Sequence, residues 1–146
     1  MWKRKLVALL VALCAVLFCG CSLLQNGFSD GKKTPYISAK LISSTETQVV
    51  ITVEDKLGSF ELIDCMNVLE GEDFSFEISD GFITEINGIK SENGYYWMLY
   101  TSDDELSNPT WGEIEYDGEV LYSAALGAEE LEVEIGEFYV WQYAKM

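Results

Sequence analysis

The segment GFITEINGIKSENGYYWMLYTSDDE, residues 81–105, holds the clearest strand and turn signals of the chain. It contains two apolar segments, FITEI at 82–86 and YYWMLYT at 95–101, joined by a polar loop with glycines. The first follows the turn dipeptide Asp80-Gly81 and is predicted to return as a strand. The second is apolar on both faces, which is typical of a central strand. We therefore expect this stretch to form the middle of a sheet.

Further strands are predicted on both sides of this stretch from alternating apolar residues and turn signals. They are TQVVITVED at 47–55, FSFEIS at 74–79, EIEY at 113–116, EVLYSA at 119–124, LEVEI at 131–135 and FYVWQYA at 138–144. Asp117-Gly118 is the strongest tight-hairpin signal in the chain. Residues 103–112, DDELSNPTWG, are predicted to be a loop.

One helix is predicted after the first of these strands. Ser59 is a candidate N-cap, Glu61 favours the first turn, and Gly71 ends the helix. Apolar residues recur between them at helical spacing, namely Leu62, Cys65, Met66 and Leu69. Cys65 lies on this stripe, so we expect a buried, inert thiol. One strand, one helix and a run of antiparallel strands predict an α+β fold, a single helix packed on a mixed, mainly antiparallel sheet.

The N-terminal residues have the pattern of a secretory signal. The basic cluster MWKRK precedes a 15-residue apolar run, Leu6 to Gly20, which is shorter than the roughly 20 residues a spanning helix needs. The run ends in Phe18-Cys19-Gly20-Cys21, which resembles a bacterial lipobox, although Phe18 stands where that pattern prefers Leu. An ordinary cleaved signal or an uncleaved anchor is the alternative.

These observations predict three segments. Residues 1–20 are expected to be a lipoprotein signal peptide, residues 21–43 a lipidated Cys21 and its tether, and residues 44–146 the folded domain. Several acyl chains on Cys21 would hold the protein on the extracytoplasmic face of a bacterial cell membrane. Because Cys14 and Cys19 leave with the signal, Cys65 has no partner for an internal disulfide, and the fold must rest on a hydrophobic core.

The charge and composition exclude several classes of function. From Cys21 onward, 25 acidic and six basic residues leave a net charge of −19, which disfavours nucleic acid and anionic membrane surfaces as partners. The chain has no His, which removes Ser-His and Cys-His nucleophile pairs and imidazole zinc ligands. No phosphate-binding glycine motif occurs. Composition does not exclude a glycosidase-type pair of carboxylates, but no pair stands out among the 25 acidic residues. We therefore expect no enzyme, no catalytic residue and no resident cofactor.

An acidic tip offers the one candidate for a metal site. Asp103-Asp104-Glu105 and Asn108 carry oxygen atoms that suit a hard cation. Their spacing is not that of a calcium-binding loop, so a solvated charged tip is the preferred interpretation.

The order of elements and several strings resemble the transcobalamin-like C-terminal domain of bacterial surface lipoproteins. The strings are FELIDCMNVL, GFITEINGI, YYWMLYTSD and GAEELEVEIGEFYVWQY, and the likeness spans roughly residues 48–143. The loop after Tyr100 is longer and more acidic than the family pattern, and Asp117-Gly118 replaces its hairpin Asn-Gly. The resemblance implies a β-grasp-like fold. It also implies a link to small-molecule binding, because the related eukaryotic domain encloses cobalamin together with a helical domain.

The aromatic residues are the candidate ligand contacts: Trp97 and Tyr100 in the central strand, Trp111 in the loop, and Tyr116 in the next strand. Aromatic faces stack well on flat ring ligands, although aromatics also favour strands for packing alone. We therefore predict a membrane-anchored binding module for a cobalamin-like or other small ring ligand. The alternative is a cell-surface protein-interaction or adhesion domain, which needs an exposed apolar patch or a free sheet edge.

Overall fold

The computed structural model describes residues 33–146, which form one α-helix and nine strands. The predicted signal peptide, Cys21 and most of the tether lie outside the described residues. Within residues 33–146, no helix has the length and apolarity needed to cross a membrane.

The elements follow the predicted order with two additions, a strand at the start and a two-residue strand at Ile89–Lys90. Strands β1 (Tyr36–Ser44) and β2 (Gln48–Leu57) come first, and helix α1 (Leu62–Leu69) follows. The remaining strands are β3 (Phe76–Ser79), β4 (Phe82–Ile86), β5 (Ile89–Lys90), β6 (Tyr95–Thr101), β7 (Ser107–Tyr116), β8 (Glu119–Ala124) and β9 (Phe138–Lys145). A short 3₁₀ turn, Asp104–Leu106, precedes β7.

The strands form two sheets. The larger one has six strands in the order β1-β2-β9-β6-β8-β7, and the smaller one has three in the order β3-β4-β5. All pairings between these strands are antiparallel. Within residues 33–146, the only parallel contact is an isolated bridge between Val53 and Ile135. The fold is thus α+β, a single helix on a mainly antiparallel sheet, as predicted.

Strand β1 lies in the segment that was expected to be tether. It pairs with β2 from Tyr36↔Leu57 to Ser44↔Val49, and the compact unit accordingly begins at Thr34. Every second residue of YISAKL packs against the core, namely Ile37, Ala39 and Leu41. Ser38 and Lys40 alternate with them, and the strand is stabilised by its pairing with the edge of β2 and by this packing.

Both faces of the large sheet are covered by packed apolar side chains. On one face, residues of β2 and β9 pack against the apolar stripe of α1 in a core that includes Val49, Ile51, Val53, Leu62, Cys65, Met66, Tyr139 and Trp141. On the opposite face, a smaller cluster contains Val50, Tyr100, Leu121 and Val140. Alternate side chains of a strand point to opposite faces, so the central strands are apolar throughout.

The helix begins later than its predicted cap. Glu61 is the N-cap residue, and its backbone N–H donates to the Asp64 carboxylate at 3.0 Å. Ser59 instead donates its hydroxyl to Glu132. The predicted strand at 131–135 forms only isolated bridges, although Leu131 and Val133 are buried.

Candidate functional site

Strand β6 has one edge that is only partly covered. It pairs with β9 along its whole length, from Tyr95↔Lys145 to Thr101↔Tyr139. It pairs with β8 only at its end, through Tyr100↔Ser123 and Thr101↔Tyr122. The sheet therefore opens between β6 and β8 alongside residues 97–99.

The alternation of the backbone shows which amide and carbonyl groups of β6 face this opening. In an antiparallel strand, the amide and carbonyl groups of successive residues point to opposite neighbours. The Trp97 amide lies 3.4 Å from Ser91 Oγ, on the side away from β9. By the same alternation, the backbone groups of Leu99 also face the opening.

A cleft of about 920 Å³ lies along this edge. Ligand pockets typically measure roughly 300–1,000 Å³, so the cleft has the volume of a small-molecule site. Four parts of the chain form its walls: β4 with the preceding turn, β6, the segment 123–128 and the C-terminal Met146. Ser91, Trp111 and Trp141 also line it, and none of the described lining residues has a charged side chain.

The cleft reaches both faces of the sheet. The four consecutive residues 96–99 all line it. Trp97 and Leu99 belong to the core on the helix side, whereas Met98 packs with the opposite cluster. Because alternate residues point to opposite faces, the cleft wraps around the edge of β6.

The rim of the cleft is apolar and exposed. Five large apolar side chains that line the cleft are exposed to solvent, namely Phe82, Tyr96, Trp111, Leu126 and Met146. Trp111 is 62% exposed, while Trp97 and Trp141 in the same lining are buried. A contiguous exposed apolar patch marks an interaction site more often than isolated apolar residues do.

A bulge in β7 holds Trp111 at the rim. The β7–β8 register moves from Asn108↔Ser123 to Glu113↔Tyr122, so residues 109–112 bulge out of the ladder. Asn108 Oδ1 accepts hydrogen bonds from the amide and hydroxyl of Thr110, at 3.0 and 2.6 Å. This segment was predicted to be a loop, whereas the structure shows a bulged strand.

Gly112 closes the bulge in a conformation that side chains rarely adopt. Its φ is +143°, and a Cβ placed there would lie 3.3 Å from Ser123 Oγ and 3.6 Å from Tyr100 Oη. Both the backbone angle and the limited space require glycine at this position. The return of the chain into β7 after Trp111 depends on it.

Two buried polar atoms in the lining have no hydrogen-bond partner among the described residues. They are Trp141 Nε1 and Ser123 Oγ. By contrast, Trp97 Nε1 donates to the carbonyl oxygen of Ile89 at 2.8 Å. Buried polar groups are usually paired in folded proteins, and both atoms have less than 1 Å² of accessible surface, so they do not themselves face the open part of the cleft.

The structure brings together two of the four predicted contact residues. Trp97 and Trp111 line the cleft. Tyr100 instead is buried in the cluster on the face opposite the helix, and Tyr116 packs edge-on against Phe138 with ring centroids 5.4 Å apart. Tyr100 and Tyr116 therefore lie outside the lining of this cleft, and their predicted role as ligand contacts stays a prediction.

Sequence reasoning missed several lining residues. Tyr96, Trp141, Phe82 and Met146 come from segments that meet only in the folded protein. One signal was visible: the segment AALGA, residues 124–128, follows β8 with small side chains that leave room for a cleft.

The acidic tip has a structural role in the turn before β7. The Asp103 carboxylate accepts the backbone N–H of Glu105 at 2.9 Å and caps the 3₁₀ turn. In the described part of the chain, no cluster of three or more candidate ligands is suited to hold a metal ion.

Neither a protein-family model nor a curated protein nor a solved structure matches this chain.

Proposed function

We propose that this protein is a binding module for a small, largely apolar ring molecule that occupies the cleft beside β6. The observation that carries the proposal is the composition of the cleft, with buried Trp97 and Trp141 in its lining and exposed Trp111 and Phe82 at its rim. A ligand that covers these rim side chains removes apolar surface from water, which contributes about 25 cal/mol per Å². The proposed role is binding without catalysis.

The uncharged lining restricts the ligand further. The described residues contain five lysines, none of which lines the cleft. The many carboxylates elsewhere on the surface give a negative potential that opposes anions. The proposed ligand is accordingly neutral or cationic.

The resemblance to the transcobalamin-like domain makes cobalamin the first ligand to test. The observed feature compatible with the likeness is the single helix on a mainly antiparallel sheet, and a β-grasp-like arrangement is part of the proposal. We further propose that acylated Cys21 anchors the module on the outer side of a bacterial membrane. A Cys21→Ser variant is expected to leave the membrane fraction, and its retention there would contradict the lipid anchor.

Tryptophan fluorescence is the direct test of binding, because three tryptophans line the cleft. Titration with cobalamin, and separately with neutral bicyclic aromatics, is expected to give a saturable change for at least one ligand. A Trp111→Ala variant is expected to weaken that change. Signals that never exceed inner-filter effects up to high micromolar ligand would overturn the proposal.

The partly free edge of β6 favours a second candidate, a protein-interaction module that adds an extended peptide as a strand. Edge strands pair readily with other chains. Hydrogen exchange distinguishes the two functions, because a peptide strand would protect the amides of Trp97 and Leu99. A ring ligand held by side chains would leave the hydrogen-exchange rates of these two amides nearly unchanged.

A further inference from the structure

A carboxylate lies beside the wall of the cleft. Gly81 and Gly127 both line the cleft, on two segments that pack closely together. A Cβ placed on Gly127 would lie 3.3 Å from the Gly81 carbonyl oxygen, and a Cβ placed on Gly81 would lie 3.5 Å from Glu129 Oε2. The Glu129 carboxylate therefore lies against the turn that presents Phe82, which is 74% exposed at the rim.

The backbone around Glu129 is held by the fold. The amides of Glu130 and Leu131 donate to the Gly127 carbonyl oxygen at 3.1 and 2.9 Å, and Leu131 is buried. Glu129 itself is exposed, and it takes part in none of the three ion pairs among residues 33–146. Its negative charge is therefore placed at the rim without compensation from the described lysines.

Negative charge also predominates around the rest of the lining. Among the residues next to lining residues in the chain, four are acidic and two are basic, namely Asp80, Glu85, Glu92, Glu129, Lys90 and Lys145. Lys90 forms an ion pair with Glu85 at 3.5 Å, which leaves three carboxylates against one ammonium group. The local charge therefore favours a cation at the rim, in the same direction as the net charge of the chain.

The rim offers aromatic faces to such a cation. Phe82, Tyr96 and Trp111 line the cleft and are exposed to solvent. The face of an aromatic ring is negative and attracts a cation placed over it, most strongly for Trp. A cation at the rim keeps part of its hydration, so it avoids the cost of burying a charge in the uncharged lining.

We infer that the ligand of the cleft is an organic cation, a flat apolar ring system that carries one quaternary or protonated amine. The ring system occupies the apolar lining beside β6, and the positive group stays at the rim, on the side of Glu129 and Phe82. This inference rests on the proposed function, which admits a neutral or a cationic ligand, and charge complementarity selects the cation.

Two probes of nearly equal shape test the role of charge: (2-naphthylmethyl)trimethylammonium and the neutral alcohol 1-(2-naphthyl)-2-methylpropan-2-ol. In the alcohol, carbon replaces the nitrogen and a hydroxyl group replaces one methyl group. Affinities are measured by calorimetry on the full chain at low and high salt. The cation is expected to bind more tightly than the alcohol, and only the affinity of the cation is expected to fall with salt, because salt screens exposed charges.

Variants locate the charge that acts on the cation. Glu129→Gln is expected to lower the affinity for the cation roughly two- to fivefold, as for an exposed ion pair, and to leave that for the alcohol unchanged. Glu129→Asp keeps the charge and is expected to retain most of the preference. Glu46→Gln is the matched control, because Glu46 is exposed in the turn between β1 and β2, and β2 and β9 separate β1 from β6.

The outcomes separate this inference from the proposed function. A preference for the cation that Glu129→Gln reduces and Glu46→Gln retains supports the inference. An alcohol that binds the unmodified protein as tightly as the cation does, or equal affinities of Glu129→Gln and Glu46→Gln for the cation, would overturn it while leaving the cleft as a binding site. Failure of both probes to bind at all would count against the proposed function itself.

Discussion

Trp97 and Trp141 line the same cleft and pack in the same core, yet only Trp97 has an acceptor for its indole N–H, the Ile89 carbonyl oxygen at 2.8 Å. Ile89 belongs to the small sheet, so the satisfied indole also joins the two sheets. The unsatisfied one lies where the large sheet opens. One indole N–H therefore ties the large sheet to the small one, and the other is buried without a partner among the described residues.

Replacing Trp111 with alanine is expected to weaken binding without unfolding the protein. Its exposed ring contacts the ligand at the rim, and aromatic contacts contribute about 0.5–1.5 kcal/mol beyond area burial, so affinity should fall about tenfold. Exposed substitutions usually change stability by about 0.5 kcal/mol or less. Val68→Ala is the control, because Val68 is similarly exposed on α1 and lies outside the cleft. Equal loss of affinity in both variants would contradict the site.

Gly112→Ala is expected to destabilise the protein by about 1–3 kcal/mol, because alanine strains a positive φ and its Cβ crowds Ser123 and Tyr100. Urea unfolding measures the change. Gly71→Ala is the matched control, since an added Cβ there meets nothing within 4 Å. A Gly112→Ala protein as stable as the Gly71→Ala protein would show that the bulge tolerates a side chain.

Tyr116 is expected to matter for stability and not for binding. Tyr116→Ala removes the edge-on contact with Phe138 and should cost about 1–2 kcal/mol of unfolding free energy. The ligand affinity of the folded variant should stay within roughly twofold of that of the unmodified protein, because substitutions at separate sites act nearly independently. Tyr116→Phe keeps the ring and serves as the control. A large affinity loss in either variant would place Tyr116 back in the binding site.

Alkaline pH is expected to destabilise the protein partly through Cys65. Burial raises the pKa of the Cys65 thiol from 9.0 to about 12, and nearby Asp64 adds to the shift. Between these values the folded thiol keeps its proton while the unfolded thiol loses it, so stability falls as pH rises through this window. Burial also raises the pKa of the Tyr139 hydroxyl, so Tyr139 contributes in the same direction.

Urea unfolding of the original protein and of Cys65→Ala at several pH values between about 9 and 12 separates the two groups. The variant will be less stable at neutral pH because it leaves a cavity, but its stability should fall less steeply with pH. Parallel curves for the two proteins would show that the thiol does not take part.

Removing β1 is expected to disrupt the domain. A chain that begins at Thr34 keeps the strand, whereas a chain that begins at Ser44 exposes the edge of β2 and loses the packing of Ile37 and Leu41. The longer chain should show a cooperative thermal transition, and the shorter one should aggregate or melt at a much lower temperature. Similar melting temperatures would make β1 dispensable.

Local pattern and turn chemistry were enough to predict most elements. The helical stripe that contains Cys65, the Asp117-Gly118 hairpin and the apolar strand at 95–101 all appear in the structure. Strand β1 was not predictable in this way, because it depends on the edge of β2. The cap was misassigned because the Ser59 hydroxyl donates to the distant Glu132, whereas the true cap, Glu61, forms a local capping box with Asp64.

The sequence by itself determined the class of fold, because the periods of its apolar residues and its turn dipeptides act over a few residues. It also excluded His-dependent nucleophile pairs and imidazole zinc sites, since the chain contains no His. Only the tertiary structure decided which aromatics form a site. Trp97 and Tyr100 are aromatic residues of the same predicted strand, but the divergence of β8 from β6 leaves Trp97 beside an opening, whereas Tyr100 pairs with Ser123 and is buried in the cluster on the other face.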